Sequence, residues 1–197
     1  MKRLLTLLMI CISMVATTKA QEYFFIRDFD IDVKVNQDAS LDVKETIAVH
    51  FNESRHGIFR KIPYRYKLED LPDSVQKADS FWIYKGYKYT KIKNIHVKNF
   101  ASEVYSDGDY QTIKIGSKDK YVDGDQVYEI SYTILGAVNF FPDYSELYLN
   151  LTGNGWPVEI KKSHFTIHFF KPLAKPLKWF VATGSMGSRE NITNTRW

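Results

Sequence analysis

The chain has 197 residues, with 27 Lys and Arg against 23 Asp and Glu, a net charge of +4 and a single cysteine. The first twenty residues hold three of those basic residues, none of the acidic ones and the cysteine, so the remainder is nearly neutral and free of cysteine. This composition excludes a disulfide framework and argues against an electrostatic surface for nucleic acid, and we expect no nucleic-acid partner.

The first twenty residues predict a secretory signal peptide that is cleaved after Ala20. Lys2 and Arg3 form a positive start, residues 4–15 are uncharged and apolar, and Thr18 and Ala20 frame a small-residue cleavage site. An uncleaved anchor is the weaker alternative, because a helix that spans a bilayer needs about twenty apolar residues. The mature chain is therefore expected to be exported, to the periplasm or the extracellular space.

Two alternating segments open the mature chain and predict a β-hairpin. Residues 23–35 place Tyr23, Phe25 and the later odd-numbered apolar residues on one face, and residues 41–51 repeat this pattern. Alternation with period two is typical of half-buried strands. The intervening residues 36–40 have the composition of a turn.

Glu45 breaks the apolar face of the second strand. A buried carboxylate must be paired or protonated, and the nearest cations lie in the segment 55–63, which contains Arg60. We predict a structural ion pair between Glu45 and Arg60. A catalytic general acid at Glu45 is the alternative. The candidate structural or binding residues of this segment are His56, Gly57, Arg60 and Pro63.

Residues 81–100 interleave aromatic and basic side chains. The aromatic residues are Trp82, Tyr84, Tyr87 and Tyr89, which we call the aromatic cluster, and the basic residues are Lys85, Lys88, Lys91 and Lys93. Such a pattern is typical of a sheet face on which Tyr rings and Lys stems pack across strands. Contact with a glycan remains an alternative for the four aromatic residues. The preceding residues 67–79 are polar and predict a connection with at most a short helix.

The following segments predict more strands and sharp turns. Ser106–Asp109 carries an Asp-Gly signal that predicts a hairpin, and Asp123–Asp125 is predicted as a turn before a strand over 127–135. Neither acidic turn has the spacing of a calcium loop, and we assign no metal and no cofactor. His164 and His168 alternate outward on one predicted strand, about 13 Å apart, too far to share a metal.

Residues 146–160 are the segment beside which we expect most of the preceding strands to pack. They predict a strand, a glycine turn around Gly153, and a second strand entered through Trp156 and Pro157. We expect Trp156 to cap the core rather than to hold a ligand. A last short strand is predicted at 180–183, followed by a polar tail without strands at 184–197.

These elements predict an all-β fold, an antiparallel β-sandwich with two sheets of immunoglobulin-like or jelly-roll-like architecture. The domain boundaries are 1–20 for the signal peptide, 21–183 for the sandwich and 184–197 for the tail. The chain contains none of the nucleophile-elbow, zinc-protease, P-loop or dinucleotide motifs. We therefore expect that it is not an enzyme.

Several of these segments, in order, resemble the domain-of-unknown-function family 2207, the N-terminal region of predicted membrane proteins. The resemblance covers about residues 23–183. It is carried by the turn at 36–40, the V-x-E-T-I-x-V-x-F strand at 43–51, HGIFRKIP at 56–63, I-x-I-G at 113–116, Y-x-I-x-Y at 128–132 and E-L-Y-x-N-x-T-G-x-x-W-x-V-x-I at 146–160. Ala39 departs from the family, whose members usually have Gly in this turn.

The resemblance implies an extracytoplasmic β domain that follows a signal sequence and precedes transmembrane helices. It brings no catalytic residues. Membrane attachment is then expected only through a C-terminal region absent from this chain, with residues 184–197 as its truncated beginning. Three functions follow as hypotheses: a non-catalytic structural or binding domain with an envelope protein or glycan as partner, a carbohydrate- or peptidoglycan-binding module, and an enzyme that uses Glu45, Asp143 or Glu146.

Overall fold

The computed structural model describes residues 22–78, 80–173, 181–183 and 190–191. The predicted signal peptide and its cleavage site lie outside these residues, as does most of the predicted tail. The strands of the described residues are β1 (Phe24–Val35), β2 (Leu41–Arg55), β3 (Gly57–Pro63), β4 (Arg65–Lys67), β5 (Ile83–Tyr84), β6 (Tyr87–Tyr89), β7 (Lys91–Lys98), β8 (Ser102–Asp107), β9 (Tyr110–Gly116), β10 (Val122–Leu135), β11 (Val138–Phe140), β12 (Ser145–Leu147), β13 (Ser163–Phe169), β14 (Ala182–Thr183) and β15 (Glu190–Asn191).

The largest sheet has five strands in the order β13-β1-β2-β10-β7. The predicted hairpin of β1 and β2 is confirmed, with Val35 opposite Leu41 across the turn. Ala39 in that turn has φ +63°, a left-handed conformation that explains why glycine suits this position. Three of the four strand pairings in this sheet are antiparallel, whereas β13 pairs with β1 in parallel.

A second sheet, in the order β3-β9-β8, packs on the first. Ile58 and Ile62 of β3 and Ile113 and Ile115 of β9 are buried in one apolar cluster with the inward residues of β1, β2 and β10. Because two sheets share one core, the all-β sandwich-like prediction is confirmed. The predicted Asp-Gly hairpin is also present, with Asp107 of β8 opposite Tyr110 of β9.

The inward face of β1 differs from the prediction at its start. The pairing of β1 with β2 shifts register between Ile26 and Asp28, which marks a β-bulge. Ile26 is therefore fully buried, whereas Tyr23 is exposed and Phe25 only half-buried. Strict alternation along the sequence assigned Tyr23 and Phe25 to the core because it does not allow for the extra residue of the bulge.

Two further segments depart from the sequence interpretation. Asp123–Asp125 lies inside β10 rather than before it, at a register shift where Gly124 has φ +55°. The region 146–160 is strand only as far as Leu147, and its remaining strand-like contact is a single bridge between Ile160 and Ile26. The backbone carbonyls of Leu151 and Thr152 bind a buried side chain instead of a neighbouring strand, as described below.

The remaining elements are short. A 3-10 turn at Leu68–Asp70 and the helix α1 at Asp73–Gln76 lie within the predicted polar connection, as expected. The predicted last strand is present as β14, but it pairs with β15 inside the tail that was expected to lack strands. A two-residue strand is too short to leave a periodic signal. None of the helices in the described ranges is long and apolar enough to cross a membrane.

Candidate functional site

A buried ion pair links the two sheets of the sandwich. Glu45 lies on β2 and Arg60 on β3, and each residue is 1% exposed. Arg60 Nε donates to Glu45 Oε2 at 2.8 Å, and Arg60 Nη2 donates to Glu45 Oε1 at 2.6 Å. This two-bond geometry confirms the predicted pair, and the fork of the guanidinium fixes its orientation.

Arg60 also binds three backbone carbonyls. Its Nη1 donates to Lys61 O at 2.8 Å and to Thr152 O at 3.0 Å, and its Nη2 donates to Leu151 O at 2.9 Å. A guanidinium has five N–H donors, so all of them are used. Arg60 therefore holds residues 151–152 against the sandwich, which is why this segment does not continue as a strand.

Glu45 has a third hydrogen bond, from Tyr132 on the adjacent strand β10. The Tyr132 hydroxyl donates to Glu45 Oε1 at 2.5 Å. Burial, reinforced by the nearby Glu45 carboxylate, raises the pKa of Tyr132 well above its usual value. Burial likewise raises the pKa of Tyr66, and the charge of Glu45 keeps the pKa of Arg60 above its ordinary value despite its desolvation. The phenol of Tyr132, the carboxylate of Glu45 and the guanidinium of Arg60 thus form one buried hydrogen-bond network.

The raised pKa of Tyr132 predicts loss of stability in alkaline solution. Above about pH 10 the unfolded chain releases the phenol proton while the folded chain retains it, so stability is present below pH 10 and falls as pH rises. The loss is about 1.4 kcal/mol per pH unit for each such phenol. Urea midpoints measured at pH 9, 10 and 11 should fall less steeply for Tyr132→Phe than for the exposed control Tyr144→Phe. Equal slopes in the two variants would contradict this assignment.

Gly153 and Trp156 complete the surroundings of Arg60. Gly153 has φ +78°, and a Cβ there would lie 2.6 Å from Arg60 Nη1, so glycine lets the turn approach the guanidinium. Trp156 donates from Nε1 to Thr152 O at 2.9 Å and packs edge-on against Phe29, with ring centroids 6.0 Å apart. Trp156 therefore caps this part of the core, as the sequence indicated.

The other candidates of the 55–63 segment have separate surroundings. Gly57 lies opposite Gly116 where β3 meets β9. His56 is exposed, and its ring lies 4.1 Å from that of Tyr121. Pro63 is buried and lines a cavity of about 20 Å³ beside Tyr132, large enough for one water molecule. Only Arg60 of this segment reaches Glu45 within hydrogen-bond distance among the described contacts.

The aromatic cluster does not form a flat platform. Tyr84 is 60% exposed, but Trp82, Tyr87 and Tyr89 are half-buried. The rings of Tyr87 and Tyr89 are tilted by 52°, and Trp82 packs under Gly136, where an added Cβ would lie 2.5 Å from its ring. This geometry gives little support to a stacked glycan.

Lys88 is not on the exposed face that the sequence predicted. It is 1% exposed, and its Nζ donates to Asn139 Oδ1 at 2.7 Å and to Gly136 O at 3.0 Å. Burial lowers the pKa of Lys88, and the charge of Glu146 partly opposes this shift. Tyr87, Lys88 and Tyr89 form β6 in the small sheet β4-β6-β5, and Lys88 is the member that faces the interior, where it meets Asn139 of β11.

The three carboxylates of the enzyme hypothesis are separated by their contacts. Glu45 is enclosed by Arg60 and Tyr132, whereas Glu146 accepts a hydrogen bond from Ser74 at 2.8 Å. Asp143 is exposed. The described lining of the 20 Å³ cavity contains none of the three carboxylates.

One group of side chains was missed by sequence reasoning. The parallel pairing of β13 with β1 places His164 beside Asp28 and Asp30, and His168 beside Asp32. The sequence placed these residues on the outward faces of two strands. It could not show that strands more than a hundred residues apart are neighbours, because no local pattern encodes that pairing.

The comparisons with known proteins point to one family. The family model described as "Predicted membrane protein (DUF2207) N-terminal domain" matches residues 25–196. The uncharacterized protein YciQ of Escherichia coli K12 is 27% identical over 160 residues, which cover 75% of this chain and 22% of that protein. The chain thus spans 22% of the length of this curated relative.

Likenesses to solved structures are weak. The M1 zinc metallopeptidase of Deinococcus radiodurans matches with a TM-score of 0.34 and 11% identity, over 71% of this chain and 25% of that chain. Leukotriene A4 hydrolase of Saccharomyces cerevisiae matches with a TM-score of 0.33 and 8% identity, over 57% and 15% of the two chains.

Proposed function

The chain belongs to the predicted membrane protein (DUF2207) N-terminal domain family, and from this premise we propose that it is a non-catalytic structural or binding domain on the outer side of a membrane. Its partner in this proposal is an envelope protein or a glycan.

The observation that carries the proposal is the saturation of the buried charges. All five donors of Arg60 are engaged, and Glu45 accepts three hydrogen bonds while being 1% exposed. A general acid or base must reach a substrate proton within hydrogen-bond distance. Glu45 and Arg60 instead connect two sheets and a loop, which supports a scaffold role for the motif residues.

Location is tested with a reporter enzyme that is active only after export. Alkaline phosphatase fused after Thr183 is expected to be active when residues 1–20 are present and inactive when they are deleted. Equal activity of the two fusions would contradict an export signal at the start of the chain.

The non-catalytic role is tested by genetic complementation. The charge-free variant Glu45→Leu with Arg60→Met is expected to restore the wild-type growth phenotype to a deletion strain if it accumulates at the native level. Arg60→Met alone, which leaves Glu45 unpaired, serves as the folding control. A charge-free protein that folds but fails to complement would favour a chemical role for Glu45 or Arg60.

A further inference from the structure

Three metal-ligating side chains meet on the outer face of the five-stranded sheet. His164 lies opposite Asp30 in the parallel ladder of β13 and β1, and Asp28 precedes Asp30 by two residues on the same face. His164 Nδ1 lies 3.1 Å from Asp30 Oδ1 and 3.4 Å from Asp28 Oδ1. One potential ligand atom from each residue lies within 4.8 Å of the other two.

These separations fit two ligands that share one cation. Nitrogen and oxygen ligands lie about 2.1 Å from zinc and similar ions, so neighbouring ligands in octahedral or tetrahedral geometry are about 3.0–3.4 Å apart. The distances from His164 to the two aspartates fall in this range. The sheet therefore holds the Nδ1 of His164 at ligand-to-ligand distances from both carboxylates.

The buried oxygen of Asp28 provides a second observation. Asp28 Oδ1 is buried and accepts no hydrogen bond from the described residues, although the side chain as a whole is 33% exposed. A buried polar atom without a partner is unfavourable. The Nδ1 of His164 carries at most one proton, whose closer acceptor is Asp30, whereas a cation between the three groups would contact all of them.

We propose that Asp28, Asp30 and His164 bind a divalent transition-metal cation such as Zn²⁺. Two carboxylates balance the charge of the ion, and an imidazole nitrogen favours a transition metal over Mg²⁺ or Ca²⁺. The side chains of His164 and Asp30 are 52% and 59% exposed, so the ion is reached directly from solvent. A groove on this face also contains Thr46 and Lys44. Thr46 lies opposite Asp30, whereas Lys44 lies opposite Asp32.

The adjacent pair of His168 and Asp32 provides a matched control. These side chains lie 2.9 Å apart on the same two strands and are similarly exposed, at 57% and 51%. The metal-ligating group described above does not include them. Substitutions of His168 thus remove an imidazole from the same face without removing a ligand of the proposed site.

The test is Zn²⁺ titration of untagged protein by calorimetry, with Co²⁺ absorption as a second readout. We expect one Zn²⁺ per chain, at least tenfold weaker binding for His164→Ala and for Asp28→Asn, and less than a twofold change for His168→Ala. Zn²⁺ should raise the melting temperature of the wild-type protein and of His168→Ala but not of His164→Ala.

The proposal is overturned if wild-type protein shows no saturable Zn²⁺ binding, or if His164→Ala and Asp28→Asn bind as tightly as the wild type does. Binding lost equally in His168→Ala would also overturn it, since the ion would then lie elsewhere on this face. Circular dichroism of each variant verifies folding. The proposal is independent of the envelope role, because neither Glu45 nor Arg60 takes part in it.

Discussion

Replacing Arg60 with methionine is expected to lower the free energy of unfolding by about 3–5 kcal/mol, the range found when one partner of a buried ion pair is removed. Methionine retains much of the volume of the side chain, so the main effect is electrostatic. The Glu45 carboxylate remains buried with only the Tyr132 hydroxyl as a donor, and the carbonyls of Leu151 and Thr152 lose the donors from Arg60. Urea unfolding monitored by circular dichroism measures the difference.

The matched control is the same substitution at Arg65. That arginine pairs with Asp109 at the surface, where its side chain is 37% exposed, and an exposed pair contributes at most about 1 kcal/mol. A loss for Arg60→Met no larger than that of Arg65→Met would show that burial does not make the Glu45–Arg60 pair important.

The double variant Glu45→Leu with Arg60→Met should recover part of the lost stability. It removes the unpaired carboxylate, which is the main penalty of the single variant. Recovery should be incomplete, because the Tyr132 hydroxyl then lacks its acceptor and the carbonyls of Leu151 and Thr152 still lack the donors that Arg60 supplies. An unfolding free energy below that of Arg60→Met would mean that Glu45 is stabilised by something other than Arg60.

The ion pair could be predicted because it interrupts a regular pattern. A carboxylate at an inward position of a long alternating strand requires a cation, and the segment 55–63 is the nearest source. The carbonyl ligands of Arg60 could not be predicted in this way. Residues 146–151 alternate like a strand, and only the folded chain shows that the arginine side chain takes the place of a strand partner.

Long-range pairing limited the prediction of the outer face. Local alternation correctly placed His164 and His168 on the exposed side of β13. The parallel register with β1 depends on packing among distant segments, and the bulge near Arg27 changes which residues of β1 face inward. The group of Asp28, Asp30 and His164 therefore arises from tertiary structure, and composition alone cannot indicate it.

Gly57→Ala should be among the most destabilising single substitutions in this protein, by about 3 kcal/mol or more. Gly57 has φ +127°, a conformation that is essentially restricted to glycine. A Cβ at Gly57 would lie 1.8 Å from the carbonyl oxygen of Ile115. A Cβ at Gly116, on the opposite strand, would likewise lie 1.8 Å from the carbonyl oxygen of His56. The two strands can meet at this point only because neither residue has a side chain.

The consequence extends to the buried network because Gly57 begins the strand that carries Arg60. A shift of β3 away from β9 would displace Arg60 from Glu45, so the loss should exceed the cost of backbone strain alone. Gly108→Ala measures the cost of a left-handed backbone without a close approach: Gly108 has φ +61° and no atom within 4 Å of an added Cβ, and the expected loss is about 1–2 kcal/mol. Urea midpoints measure the loss of stability in the two variants. Equal losses would contradict the expected displacement of Arg60, because β3 and β9 would then separate at Gly57 without disturbing that side chain.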